Sequence, residues 1–109
     1  MKQFVEPMRT VANNDSNRRV FIVAGDSMSP KYPSGARAIL ERANEDVFIA
    51  WGEAYVLDTI DGEFLKRVYP TDDPAVIECR SENPAYPPFQ VKKEWIYSWW
   101  RVRMAFVLG

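Results

Sequence analysis

The chain has 109 residues, 47% of them hydrophobic and 14% aromatic, and these proportions predict one globular domain with a packed core. Its 14 basic and 15 acidic side chains nearly cancel, which argues against a DNA-binding surface of its own, because such surfaces carry a basic excess. With no histidine and one cysteine, a Ser/His/Asp triad and an internal disulfide are excluded and a structural zinc site is not expected.

Residues 1–19 are predicted to form a linker or flexible N-terminal segment, and residues 20–109 a single folded domain. Residues 13–19 are polar and rich in asparagine, which is typical of a connector. The N-terminus has no apolar signal-peptide core, and no apolar run approaches the length of a membrane span. We therefore expect a cytoplasmic protein with no membrane partner.

The first predicted strand, residues 20–23, runs into the turn sequence Gly-Asp-Ser-Met-Ser-Pro at 25–30. This order puts the hydroxyl of Ser27 just beyond a strand end, where backbone amides are free to contact a ligand. Ser27 is therefore a candidate nucleophile, although in isolation it would be read as an ordinary turn serine. A second strand is predicted at 36–42.

An Asp-Gly turn at 61–62 joins a predicted strand at 53–60 to the strand that carries Lys66. Strand alternation places Lys66 on the same face as Phe64 and Val68, and the adjacent arginine on the other face. Burial disfavours the ammonium form and lowers the pKa of a lysine, so Lys66 is a candidate general base. The alternative is a lysine that extends into solvent with an ordinary pKa.

The C-terminal third predicts short strands separated by turns. Cys79 lies in one of these strands, where a small buried side chain is favoured over a reactive thiol. Residues 81–88 form a proline-rich loop that cannot be a central strand. The last strand, residues 95–108, has apolar side chains on one parity: Ile96, Trp100, Val102, Met104, Phe106 and Leu108.

The other parity of the last strand carries Tyr97, Trp99, Arg101 and Arg103. Cover by other parts of the same fold is the favoured interpretation of this face. A homodimer contact comes next, and nucleic-acid stacking is the weakest interpretation because the net charge is near zero.

Three ordered blocks resemble the C-terminal domain of the LexA and phage-repressor family of self-cleaving serine/lysine peptidases, and more distantly the type I signal peptidases. They are Gly-Asp-Ser-Met-Ser-Pro at 25–30, Leu-Lys-Arg-Val at 65–68 and Glu-Asn-Pro-Ala-Tyr-Pro-Pro at 82–88. The resemblance implies a mainly β fold, like that of LexA and the signal peptidases, with several short coiled sheets and hairpins. One departure is that Gly35 is followed by Ala36, where the family usually has Gly-Asp.

The resemblance also implies a role for each site residue. Ser27 would be the nucleophile and Lys66 the general base of a catalytic dyad. The backbone amides of Asp26 and Ser27 would form the oxyanion hole. Met28 and Pro30 are interpreted as structural residues that would also shape a pocket beside the scissile bond. No metal or other cofactor is implied.

The function implied is the C-terminal self-cleavage and dimerisation domain of a prophage or SOS-type transcriptional repressor. Its partners would be a second copy in a homodimer, a RecA filament as co-protease, and operator DNA through an N-terminal domain that we expect to be missing from this chain. The alternatives are a non-catalytic dimerisation or sensing module of the same fold and a signal-peptidase-like processing enzyme.

The self-cleavage bond is predicted to lie outside this chain. Family members cut an Ala-Gly or Cys-Gly bond upstream of the serine, and the first glycine here is Gly25. Two residues of chain are too short to bring the Ala24–Gly25 bond back to the hydroxyl of Ser27. We therefore expect the scissile bond before Met1.

Overall fold

The computed structural model describes residues 16–108. These residues form antiparallel strands and one short 3-10 helix at Lys93–Trp95. The strands are β1 (Arg18–Ile22), β2 (Arg37–Arg42), β3 (Ala54–Thr59), β4 (Gly62–Pro70), β5 (Val76–Arg80), β6 (Phe89–Lys92) and β7 (Ile96–Phe106). The mainly β fold expected from the sequence is confirmed.

All seven strands join in one sheet with the order β1-β2-β7-β3-β4-β5-β6. The resemblance implies several short sheets, but the long strand β7 connects them into one. Its C-terminal part pairs with β2 and its N-terminal part pairs with β3, so it bridges the β1–β2 hairpin and the β3–β6 meander. Strands with two paired neighbours are stabilised along both edges.

Side chains pack on both faces of the centre of this sheet. One buried cluster contains Leu40, Val56, Leu65 and Trp100, and the other contains Leu57, Val68, Cys79 and Trp99 among its members. Successive residues of β3 and of β7 alternate between the two clusters, as the pleat of a strand requires. The central strands are therefore shielded from water on both sides.

The β3–β4 hairpin predicted from the Asp-Gly pair is confirmed. The pair Thr59–Gly62 encloses the turn residues 60–61, and Gly62 opens β4 with a φ of +105°. The hydroxyl of Thr59 donates to the carbonyl oxygen of Gly62 at 2.8 Å. This turn fixes the register that sets Tyr55 opposite Lys66.

The single apolar face predicted for the last strand is wrong, because two register shifts interrupt β7. Against β3 one extra residue, Tyr97, lies between the paired residues, and against β2 the extra residue is Arg103. An extra residue turns the following side chains to the opposite face. Ile96 therefore packs with the cluster of Trp99, and Met104 lies on the exposed face of the sheet.

Other parts of the fold cover only some of the β7 residues for which the sequence predicts such cover, namely Tyr97, Trp99, Arg101 and Arg103. Trp99 is buried and meets Tyr55 edge to face, with 5.9 Å between ring centroids. Tyr97 is exposed, and Arg103 forms an ion pair with Glu41 at the surface. The core therefore buries the indole of Trp99, while the two extra residues, Tyr97 and Arg103, remain at the surface.

The predicted linker falls mostly on residues 1–15, which lie outside the described residues. The first strand begins at Arg18, shortly before the predicted domain start at residue 20. Among residues 16–108, no helix has the length and apolar character needed to cross a bilayer.

Candidate active site

The turn that carries Ser27 leaves the end of β1 and is held at its base by two backbone hydrogen bonds. The amide of Val23 donates to the carbonyl of Ala36 at 2.9 Å, and the amide of Gly35 donates to the carbonyl of Val23 at 2.7 Å. Gly25 has a φ of +75°, a conformation that residues with a Cβ rarely adopt. The resulting bend leaves Ser27 partly exposed and accessible from solvent.

The structure brings the side chains of Ser27 and Lys66 together. The Nζ atom of Lys66 donates a hydrogen bond to the Oγ atom of Ser27 at 2.8 Å. Lys66 retains only 9% of its accessible surface. The expectation that this lysine is buried, made from its place between Phe64 and Val68, is confirmed.

Burial lowers the pKa of Lys66 below its ordinary value of 10.5, because desolvation disfavours the ammonium ion. The Cys79 thiol has the opposite and smaller effect on this pKa. Burial also raises the pKa of Cys79 to about 12. Among residues 16–108 no carboxylate forms an ion pair with Lys66 that would hold its proton.

The neighbouring Arg67 lies on the other face of β4, as predicted. Its Nε atom forms an ion pair with the carboxylate of Glu82, and its guanidinium donates to the carbonyl of Gly52 at 2.8 Å. Lys66 and Arg67 are thus adjacent in sequence, but their side chains lie in different environments. Burial disfavours the charge of both, but the ion pair with Glu82 outweighs it and raises the pKa of Arg67, whereas the pKa of Lys66 is lowered.

The loop at 81–88 packs against the turn of Ser27. The backbone amide of Asn83 donates to the carbonyl of Ser27 at 3.0 Å, and its side-chain amide donates to the carbonyl of Asp26 at 3.2 Å. The hydroxyl of Tyr86 donates to the carboxylate of Asp26. The sequence singles out this loop only as a block of the resemblance, and its Asn-Pro pair indicates a turn without indicating what the turn contacts.

The amides of Asp26 and Ser27, predicted to form an oxyanion hole, are available for a ligand. Neither of them donates to an acceptor elsewhere in the described part of the chain. Asp26 is exposed and Ser27 is half-buried, so a ligand from solvent can reach this part of the turn. Their role in binding an oxyanion stays a prediction.

Met28 and Pro30 differ in their surroundings. The side chain of Met28 is buried in the core cluster of Leu40 and Trp100, which agrees with a structural role. Pro30 is exposed and follows a cis peptide bond with Ser29. A pocket formed by this pair stays a prediction, and of the two only Pro30 reaches the surface.

The interpretation of Cys79 as a small buried side chain is confirmed, since it has no accessible surface. Residues 16–108 contain no group of three or more cysteine, aspartate and glutamate side chains arranged to hold a metal ion. The site places a hydroxyl beside an amine, in a turn whose amides at Asp26 and Ser27 have no acceptor in the described part of the chain.

Comparison with known protein families gives a match. The family model described as Peptidase S24-like matches residues 2–100, a range that includes the Ser27 turn, the Lys66 strand and the 81–88 loop. No curated protein matches the chain.

Proposed function

The chain belongs to the Peptidase S24-like family, a family of serine peptidases, and on this basis we propose that Ser27 and Lys66 form a dyad that hydrolyses a peptide bond. The observation that carries the proposal is the 2.8 Å separation of Lys66 Nζ and Ser27 Oγ. A nucleophile needs a base within hydrogen-bond reach, and the chain has no histidine to supply one.

In the proposed reaction, neutral Lys66 accepts the hydroxyl proton of Ser27 while Oγ bonds to the carbonyl carbon of the substrate. The amides of Asp26 and Ser27 donate to the oxygen that becomes negatively charged. The lysine then returns the proton to the leaving amine as the carbon–nitrogen bond breaks. Water, deprotonated by the same lysine, hydrolyses the acyl-enzyme and releases Ser27.

The burial of Lys66 supports its role as the base. A lysine with an ordinary pKa would be almost fully protonated at neutral pH and could not accept the proton. The depressed pKa of Lys66 increases the neutral fraction, and no carboxylate within residues 16–108 opposes this effect. Activity is therefore expected to rise with pH.

Turnover of a peptide containing an Ala-Gly bond tests the dyad. We expect cleavage by the unmodified chain at alkaline pH and none by Ser27→Ala or Lys66→Met. Lys92→Met is the matched control, because Lys92 is an exposed lysine on β6 that makes no contact with Ser27. No turnover by the unmodified chain, even at high pH, would instead identify a non-catalytic module.

We further propose that the domain is the self-cleavage and dimerisation part of a transcriptional repressor. The sequence resemblance supports this role, with a cytoplasmic location, a RecA filament as co-protease and operator DNA bound through an N-terminal domain. The Ala24–Gly25 bond would not be the scissile bond, since Gly25 lies too close to Ser27.

An exposed apolar patch supports the homodimer. Val20, Ile22, Met104 and Phe106, called here the outer patch, lie on one face of β1, β2 and β7 and are all more than one third exposed. Val20 and Met104 both pair with Ile39, so the three side chains form a continuous row across the strands. Apolar patches of this kind mark interaction surfaces, and we propose that a second copy covers this one.

A further inference from the structure

The strands that carry the two residues of the dyad have no direct backbone pairing. β1, which leads to Ser27, pairs with β2, whereas β4, which carries Lys66, pairs with β3 and β5. Besides the dyad hydrogen bond, an ion pair of Arg19 and Glu63 joins β1 to β4, and Met28 and Leu65 lie in one core cluster. The loop at 81–88 makes contacts with both sides.

On the side of the nucleophile, Asn83 holds two carbonyl groups of the turn. Its backbone amide donates to the carbonyl of Ser27 at 3.0 Å, and its side-chain Nδ2 donates to the carbonyl of Asp26 at 3.2 Å. The side-chain oxygen of Asn83 accepts from the amide of Ala85 at 2.9 Å. Both ends of the side-chain amide are therefore occupied, which fixes its orientation.

The contact with Asp26 bears directly on the oxyanion hole. The carbonyl of Asp26 and the amide of Ser27 belong to one peptide unit, which is planar and trans, so the two groups point in opposite directions. The hydrogen bond from Asn83 orients the carbonyl of Asp26 toward Asn83, and it therefore orients the N–H of Ser27 away from Asn83. The carbonyl of Asp26 also accepts from the amide of Ser29 at 3.1 Å, which closes the turn locally.

On the side of the base, Glu82 anchors the loop to β4. Its carboxylate pairs with Arg67, the residue that follows Lys66, and both side chains are partly buried. Arg67 is itself held by the carbonyl of Gly52. Successive residues of one loop thus contact the neighbour of the base and the peptide units of the nucleophile.

We propose that Asn83 is a positioning residue for the dyad, anchored to the base strand through the ion pair of Glu82 and Arg67. The inference rests on the proposed peptidase function and adds residues to it. Asn83 does not touch the substrate. It aims the amide of Ser27 and holds Ser27 within reach of Lys66.

Labelling of Ser27 by an alkyl fluorophosphonate measures this positioning without a peptide substrate. The bond from Oγ to phosphorus forms, the phosphorus–fluorine bond breaks, fluoride leaves, and the hydroxyl proton passes to Lys66. Intact-mass spectrometry follows the rate as a function of pH. The plateau rate reports the geometry of the turn, and the pH midpoint reports the pKa of Lys66.

Asn83→Ala is expected to lower the plateau rate about tenfold, the equivalent of losing one hydrogen bond that acts in the transition state. The pH midpoint should stay where it is, because the pKa of Lys66 is set by its own burial. Asn44→Ala is the matched control. The side-chain oxygen of Asn44 accepts from the amide of Asp46, as that of Asn83 accepts from the amide of Ala85, but Asn44 makes no hydrogen bond to the turn of Ser27.

Asn83→Asp separates positioning from loop structure. It keeps the oxygen that accepts from Ala85 and loses the donor to Asp26, so we expect it to label as slowly as Asn83→Ala, also at 1 M salt where charge effects are screened. Glu82→Gln should slow labelling about threefold, as expected for a partly buried ion pair. The double variant Glu82→Gln/Asn83→Ala should label no more slowly than Asn83→Ala alone, because both substitutions break the same link between the turn of Ser27 and β4.

Labelling of Asn83→Asp at the unmodified rate would overturn the inference, as would equal slowing by Asn44→Ala. A loss of rate that comes with a shifted pH midpoint would also overturn it, since the effect would then lie on Lys66. If the unmodified chain shows no labelling that depends on Ser27, the proposed peptidase function itself fails. Failure of the positioning role alone would look different, because all of the Asn83 variants would then label at the normal rate.

Discussion

The Nζ atom of Lys66 lies 2.8 Å from the Oγ atom of Ser27, although the two residues are separated by 39 positions in sequence. The amine approaches from a strand whose two faces are covered by core side chains, and the hydroxyl sits on a turn that solvent can reach. A desolvated base beside an accessible hydroxyl is the arrangement that nucleophilic catalysis requires.

The pH dependence of Ser27 reactivity follows from the pKa of Lys66. Because the lysine must lose a proton to act as base, we expect the labelling rate to rise with pH and to reach its midpoint below 10.5, the ordinary pKa of lysine. Ser27→Ala should abolish labelling at every pH, and Lys66→Met should remove the rise. A midpoint at or above 10.5 in the unmodified chain would contradict a desolvated base.

Replacing the buried amine is expected to stabilise the fold. Lys66→Met removes an ion that has no carboxylate partner in residues 16–108, and we expect the free energy of unfolding at pH 7 to rise by about 1 kcal/mol. Urea denaturation measures this change. A loss of stability at pH 7, with an unchanged dependence on urea, would show that the amine is stabilising instead.

The gain from Lys66→Met should shrink as the pH rises. The folded chain has the lower lysine pKa, so the unfolded chain binds more protons and the stability of the unmodified protein increases with pH up to about 10.5. Cys79 acts with the opposite sign, because its pKa is 9.0 when unfolded and about 12 when folded, and stability falls between these values. Comparing the two proteins at each pH removes the contribution of the cysteine except for the part that depends on Lys66, which lowers the pKa of Cys79.

The outer patch is expected to hold two copies of the chain together. Met104→Lys puts a charge on the patch and should convert the dimer into a monomer in sedimentation experiments, because a buried unpaired charge opposes association. Val47→Lys is the matched control, since Val47 is 70% exposed and Met104 59%, and it lies outside the patch. A monomeric unmodified chain would refute the dimer, and equal effects of both variants would refute its location.

No self-cleavage is expected within the chain. Residues 1–24 contain no glycine, and the first Ala-Gly bond is two residues from Ser27. Intact-mass spectrometry after prolonged incubation at alkaline pH should therefore find one species of full length. A discrete cut between Met1 and Arg19 that disappears in Ser27→Ala would contradict this prediction.

Local rules explain what could be predicted from the sequence. The Asp-Gly pair marks the hairpin, and strand alternation then selects Lys66 over Arg67 as the buried cation. The pairing of Lys66 with Ser27 is predicted by the family resemblance alone, because strand alternation does not indicate which turn packs against a given strand. The absence of histidine narrowed the choice of base to a lysine.

Contacts between distant segments account for what could not be predicted. The extra residues Tyr97 and Arg103 are defined only by the register of β7 against its two neighbours, so no pattern within β7 marks them. In the same way, Asn83 reads as an ordinary turn residue until the fold brings it against Asp26. Both features depend on pairings that local propensity does not encode.

The extra residue at Arg103 divides one strand between two environments. Val102 packs with the interior, while Met104 and Phe106, further along the same backbone, point outward. Deleting Arg103 would remove the extra residue and leave Val102 opposite Leu40 and Met104 opposite Ile39, so the outward methionine and phenylalanine would keep their face. Loss of a paired residue such as Ala105 would instead turn the side chain after it to the other face, so the damage done by a deletion here depends on whether the lost residue is paired.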